Sequence, residues 1–169
     1  TVAYLAQSPQ FYKQMAMMAG FGRIFEIGPV FRADPSFTSR HATEFTSVDM
    51  EVSYIDSHED IMKIQEDLMV AAITAVKEKH GDDIKRLFDI DVVIPTTPFP
   101  RIPLAEAIDI VAKRGHEITR GGDMDPEGER QIAAHVMETY NHEFVFLTDY
   151  PSTVRPFYHM RHADNDQLT

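Results

Sequence analysis

At 169 residues with 43% hydrophobic content, the chain is long enough to bury one ordinary core, and a single compact domain is the expectation. Its 16 basic against 27 acidic residues give a formal net charge of -11, which disfavours general attraction to a phosphate backbone or an anionic membrane and leaves only local nucleic-acid contacts. The lack of cysteine excludes disulfides, thiolate metal sites and cysteine nucleophiles, and leaves the redox compartment open.

The N-terminal TVAYLAQSP has neither the basic start nor the apolar stretch of a signal peptide, and no run of about eighteen apolar residues follows. A soluble cytoplasmic protein with no membrane segment is expected. The chain opens without methionine and stops at Asp166-Gln167-Leu168-Thr169 with no terminal cap, which suggests a piece of a longer protein. Ser8-Pro9 reads as N-cap plus first helical residue, and Phe11, Met15 and Met18 recur at helical spacing until Gly20. RIFEIGPVFR, Arg23 to Arg32, and EFTSVDMEVSY, Glu44 to Tyr54, read as antiparallel strands around a loop from about Ala33 to Thr43. A connection that long inside a compact domain points to function.

Ser57-His58-Glu59-Asp60 has the form of a capping box, and Ile61, Ile64, Leu68, Ala71 or Ala72 and Val76 make a helical stripe that should end at His80-Gly81. A strand is expected at Asp91 to Pro95, a rigid connector at Pro98 to Pro103, and a helix at Leu104 to Lys113 with Gly115 behind it. Arg120 to Asp125 is a Gly-rich polar loop, Asp125-Pro126 opens a helix to about Tyr140, Glu143 to Thr148 is a strand and Val154 to Tyr158 is extended. Strands in groups with helices between them, and no regular βαβ alternation, make the expected class α+β with a mostly antiparallel sheet flanked by helices.

No Walker A loop, GxGxxG, HExxH or GxSxG is present, so nucleotide chemistry would need another scaffold. His159-x-x-His162 with Asp164 lacks a fourth metal ligand, and the acidic pairs near Asp82 and Asp123 read as solvated turns and caps, so no metal site is assigned within the chain. The charged hairpin differs. Arg32 and Asp34 share one parity and Asp49 and Glu51 another, so four charges can converge on one side of a sheet. Such a face needs either a ligand or an internal arginine–carboxylate network.

FRADPSFTSRHATEFTSVDMEVSY resembles motif 2 of the class II aminoacyl-tRNA synthetases, and its end, RHATEFTSVDMEVSYID, resembles the aspartyl, asparaginyl and lysyl subgroup. AQSPQFYKQM is similar to the amino-acid-pocket segment of aspartyl enzymes, and FLTDYPSTVRPFYHM to a stretch of the archaeal type. The resemblance implies a partial catalytic domain, with the motif 2 hairpin at about 24–54, an α/β insertion at about 77–122 and C-terminal strands at about 143–160. The anticodon-binding domain, motif 1 and motif 3 would lie outside it. It implies ATP and Mg²⁺ as substrate and cofactor, aspartate, tRNA(Asp) and, for a non-discriminating type, tRNA(Asn) as partners, and a homodimeric parent. Arg32 would bind the α-phosphate and the substrate carboxylate, Arg40 and His41 the β- and γ-phosphates, Phe45 the adenine ring and Asp34 the adenine amino group. Asp34 stands where the family usually has Glu. Ser8 and Gln10 would hold the substrate ammonium and backbone, Lys13 the side-chain carboxylate with Asp49 orienting it, and Arg155 would approach the same pocket. Glu51 is read either as a further polar support or as a structural pair. The alternatives are an ammonia-using asparagine synthetase of the same ancestry and a non-catalytic binding module. Without motif 3, the piece alone should be weak or inactive.

Overall fold

The computed structural model describes residues 2–33, 42–119 and 121–169. Against the expectation of one compact unit, the packing divides the chain into two, Thr1–Ile61 and Met62–Thr169.

The first unit is a helix and a hairpin. Helix α1 is Gln10–Met18. It starts one residue later than the sequence suggests: Pro9 occupies the cap, and Ser8 Oγ accepts a 3.4 Å hydrogen bond from the Gln10 amide. Strands β1 (Arg23–Phe31) and β2 (Glu44–Val52) pair antiparallel as expected, in a register that sets Ile24 opposite Glu51, Glu26 opposite Asp49, Gly28 opposite Ser47 and Val30 opposite Phe45. One further bond, from the Arg32 amide to the Thr43 carbonyl at 2.9 Å, carries the ladder past the strand end. Because opposite residues share a face, Ile24, Glu26, Gly28, Val30 and Arg32 lie on the side of Phe45, Ser47, Asp49 and Glu51. Val30 is buried on this face, while Phe25, Ile27 and Val48 on the opposite face are exposed.

Helix α2, His58–Phe88, begins in the first unit and continues through the second. Its start behaves as a capping box: Ser57 Oγ accepts from the Glu59 amide at 3.2 Å, while Asp60 accepts from the amides of Asp56 and Ser57 at 2.9 and 3.1 Å. The expected stop at Gly81 does not occur. Mid-helix glycine costs only about 1 kcal/mol against alanine, and the Lys, Glu and Arg around Gly81 are good helix formers, so the helix runs on until Asp89 turns left-handed at φ 54°.

In the second unit, β3 (Arg101–Pro103) lies within the expected connector, and Asp91 to Pro95 forms no strand. Helix α3, Leu104–Lys113, buries Leu104, Ala107, Ile108 and Val111 at helical spacing. Helix α4, Pro126–Tyr140, buries Gly128, Ile132 and Val136, and ends on a left-handed Asn141. These faces meet Ile102 in the main core. A Cβ at Gly128 would meet the side-chain ends of Met124 and Ile118, which would have to shift to admit it. Strand β4, Phe146–Thr148, pairs with β3 in parallel. The nine-residue antiparallel hairpin and this three-residue parallel pair together fit the expected α+β class with mostly antiparallel pairing. The segment expected to extend from Val154 instead follows a 3-10 turn at Ser152–Val154.

Two local features carry stability predictions. Glu66 on α2 is buried; it accepts from the Phe99 amide at 2.9 Å and pairs with Arg101 at 3.1 Å, beside a stack of Phe99, Phe144 and Phe146. Glu66→Ala leaves the buried Phe99 amide without its acceptor and removes the carboxylate from Arg101, which keeps the Phe99 carbonyl at 2.9 Å; it should lower stability in urea unfolding by about 2–3 kcal/mol, whereas Glu66→Gln, which keeps an acceptor, should lose less. Asp125 caps α4 through the Gly128 amide at 2.7 Å and also meets His116. The Gly128 amide first, then the His116 hydrogen bond, hold its carboxyl below the usual range. A depressed carboxyl stabilises the fold above its unfolded pKa and stops doing so as pH falls through the folded value. Asp125→Asn should therefore flatten the loss of thermal stability below about pH 4.

Candidate functional site

The charged face of the hairpin and the N-terminal half of α1 enclose a small concavity lined by Pro9, Tyr12, Lys13, Ile24, Phe25, Glu26, Asp49 and Met50. Its volume, about 110 Å³, is well under the roughly 300–1,000 Å³ of drug-sized sites. It suits an amino acid better than a nucleotide.

Lys13 is its chemical centre. Its ammonium lies 2.5 Å from Asp49 Oδ1 and 3.2 Å from Glu51 Oε2, with the Met50 carbonyl at 3.5 Å, and only 14% of its side chain is exposed. Burial alone would pull its pKa down; the hydrogen bonds to Asp49 and Glu51 outweigh it and raise the pKa. Lys13 thus stays protonated at neutral pH. An ammonium has three donors, and the two carboxylates satisfy two of them well, so the weakly engaged third is the one a ligand can take. The α1 register places Lys13 one turn into the helix, and the alternation of β2 brings Asp49 and Glu51 to the same face.

Further along that face, the Arg32 guanidinium stands 5.5 Å from the centroid of the Phe45 ring. Among the described residues no carboxylate ion-pairs with Arg32: Asp49 and Glu51, candidates for an arginine network, are held by Lys13 instead. Glu26 and Arg32 are six positions apart along the strand, about 20 Å between backbones at ~3.3 Å per residue, and the concavity stops short of Arg32. The structure therefore joins Lys13, Asp49 and Glu51 in one cluster and Arg32 with Phe45 in another, both on one sheet face.

Asp34, Arg40 and His41 lie outside the described residues. Ser8 and Gln10 are exposed at the start of α1 and do not line the concavity. Arg155 belongs to the second unit, where its guanidinium covers the Tyr150 ring at 3.7 Å and faces Asp123 at 3.4 Å. Burial first of all raises the pKa of that tyrosine. His162 is 3.4 Å from Asp149, and among the described residues no group of three or more His, Cys, Asp or Glu is placed to hold a metal ion. No helix of the described residues is long and apolar enough to cross a membrane. Glu26, Tyr12 and Ile24 line the concavity without having been singled out from sequence. The strand register that reveals Glu26 as the neighbour of Asp49 is a long-range property with no local signal.

The family described as tRNA synthetases class II (D, K and N) matches residues 1–169, the whole chain. The chain belongs to this family. Among curated relatives, the class II synthetase named aspartate–tRNA(Asp/Asn) ligase from Aeropyrum pernix is 46% identical over 169 residues, covering 99% of this chain and 38% of the relative. Among solved class II synthetases, the aspartyl-tRNA synthetase of Entamoeba histolytica superposes with a TM-score of 0.86 at 33% identity, covering 98% of this chain and 34% of that one. The asparaginyl-tRNA synthetase of the same organism, in complex with asparaginyl-adenylate, follows at 0.82 and 29%, covering 98% and 37%. The chain thus spans little more than a third of the length of these relatives.

Proposed function

We propose that the protein carrying this chain is an aspartate–tRNA ligase, which forms aspartyl-adenylate from aspartate and ATP and passes the aspartyl group to the 3′ end of tRNA. The observation that carries this reading is Lys13, an ammonium held protonated by Asp49 and Glu51 at a hollow of amino-acid size. Aspartate and asparagine have nearly one shape and differ in side-chain charge, so a fixed cation is the economical discriminator. This favours aspartate although asparaginyl enzymes are also structural neighbours.

In the first step an oxygen of the substrate α-carboxylate attacks the α-phosphorus of ATP, and pyrophosphate leaves. Two anions must approach, so the chain has to neutralise the charge that develops between them. Arg32, with no carboxylate partner among the described residues, supplies a planar fork for both the phosphate and the carboxylate. Phe45 offers a face for the adenine, with Asp34 at the adenine amino group and Arg40 and His41 at the terminal phosphates. In the second step the terminal ribose hydroxyl of the tRNA attacks the activated carbonyl and AMP leaves. Tests of this assignment extend to tRNA(Asp) and tRNA(Asn), a homodimeric parent and a cytoplasmic location. Mg²⁺ would enter with the nucleotide, since Asp49 and Glu51 are committed to Lys13 and among the described residues no group of three or more His, Cys, Asp or Glu is placed to hold it.

The hollow also indicates why this piece by itself is expected to be weak. Lys13 stands against Asp49, Glu51 and Glu26, an excess of negative charge into which a dicarboxylate must bind. Further cations from outside these residues have to complete it. Aspartate-dependent ATP–pyrophosphate exchange tests both parts of the proposal: the full-length protein should catalyse it and asparagine should not replace aspartate. Absence of exchange in the full-length protein refutes the function, and full turnover by residues 1–169 alone refutes the incompleteness.

A further inference from the structure

We infer that Glu26 is the counter-ion of the substrate's α-ammonium, a positioning role that rests on the aspartate-activating reading. Three observations converge on this side chain. It lines the hollow with Lys13, directly across the ladder from Asp49. Asp49 and Glu51 are both consumed by Lys13, while no cation among the described residues pairs with Glu26, and its side chain is exposed. Its direction is also recorded: Oε1 lies 3.7 Å from where a Cβ on Gly28 would stand. The carboxylate therefore leans along the face, over the bare backbone of Gly28, from the Lys13 hollow toward Phe45 and Arg32.

The chemistry of the substrate fits that placement. Aspartate has two carboxylates and one ammonium. With the side-chain carboxylate at Lys13, an aspartate extends only about 5 Å along the face, so its Cα and ammonium stay over the stretch that Glu26 and Gly28 occupy, with the α-carboxylate on the side of Arg32. An uncommitted anion in that interval is paired by the only cation the substrate carries. A charge-assisted hydrogen bond of this kind is worth roughly tenfold to a hundredfold in affinity. It would also fix the rotation of Cα, so that the carboxylate meets phosphorus rather than solvent.

The decisive experiment compares aspartate with succinate, which keeps both carboxylates and lacks the ammonium, in the full-length protein. Glu26→Gln should weaken aspartate binding in calorimetry and raise its KM in pyrophosphate exchange by about tenfold or more, leave succinate binding no weaker and the KM for ATP unchanged, and be partly rescued by Glu26→Asp. An equal loss for aspartate and succinate would mean a general effect on the hollow, and a raised KM for ATP with aspartate unaffected would mean a role at the ribose; either overturns the inference. If wild-type protein binds aspartate and Glu26→Gln binds it equally well, the inference fails while the functional reading stands. If the wild-type protein binds no aspartate, the functional reading itself fails.

Discussion

Lys13→Met is expected to lower kcat/KM for aspartate in pyrophosphate exchange by about 10²–10³-fold and to erase most of the preference over asparagine. Two effects combine. The variant removes the charge that would neutralise the substrate side chain, and it leaves Asp49 and Glu51 facing the hollow without their shared cation. Those carboxylates would then repel aspartate more strongly than neutral asparagine, so specificity should fall further than affinity for a neutral probe. Lys13→Arg should rescue poorly, because a planar guanidinium cannot occupy the point between two carboxylates that a compact ammonium fills. A variant that retains the wild-type preference for aspartate would refute the role of Lys13.

The same cluster gives a pH dependence. The folded-state pKa of Lys13 is raised above its unfolded value. Its pairing therefore stabilises the first unit fully below about pH 10.4, and the stabilisation is lost as pH rises through the higher folded value. Wild-type protein should lose stability on alkaline titration more steeply than Lys13→Met, and a thermal melt series across that range would show the two curves converging.

What the sequence made legible was local. Alternation in EFTSVDMEV and the β-formers before it sufficed for the hairpin, and the Asp125-Pro126 pair for the start of α4, because each is decided by neighbours within a few residues. The placement of Lys13 beside Asp49 came from the family resemblance, and the pair bonds across 36 positions of sequence. Physical reading of residues alone left the cation opposite Asp49 and Glu51 open between Arg32 and a ligand, since nothing local says that α1 lies on this face. The β3–β4 pair was illegible for a related reason: strands of three residues carry no period, and their parallel pairing is set by the packing of α3 and α4 over Ile102. Gly81 misled because a glycine stop and a tolerated mid-helix glycine look alike until the residues beyond are seen to continue the helix.

Arg32→Lys should cost about 10²–10³-fold in exchange activity, expressed mainly in kcat with a smaller rise in the KM for ATP, while leaving thermal stability within about 0.5 kcal/mol of wild type. The split follows from what the guanidinium touches. It is exposed, and its described contact is the Phe45 ring at 5.5 Å, so little of the fold depends on it. In the reaction it has to bind two anions at once as negative charge builds between them. Lysine keeps the charge and loses the second parallel donor and the flat surface on Phe45. Arg32→Ala separates the two explanations for this charged face. If Arg32 were a structural prop of the hairpin, alanine would lower the melting temperature and leave nucleotide binding intact; if it serves the phosphates, the melt is unchanged and ATP affinity is lost. The capture of Asp49 and Glu51 by Lys13 already favours the second outcome, because it removes from Arg32 the partners a prop would need.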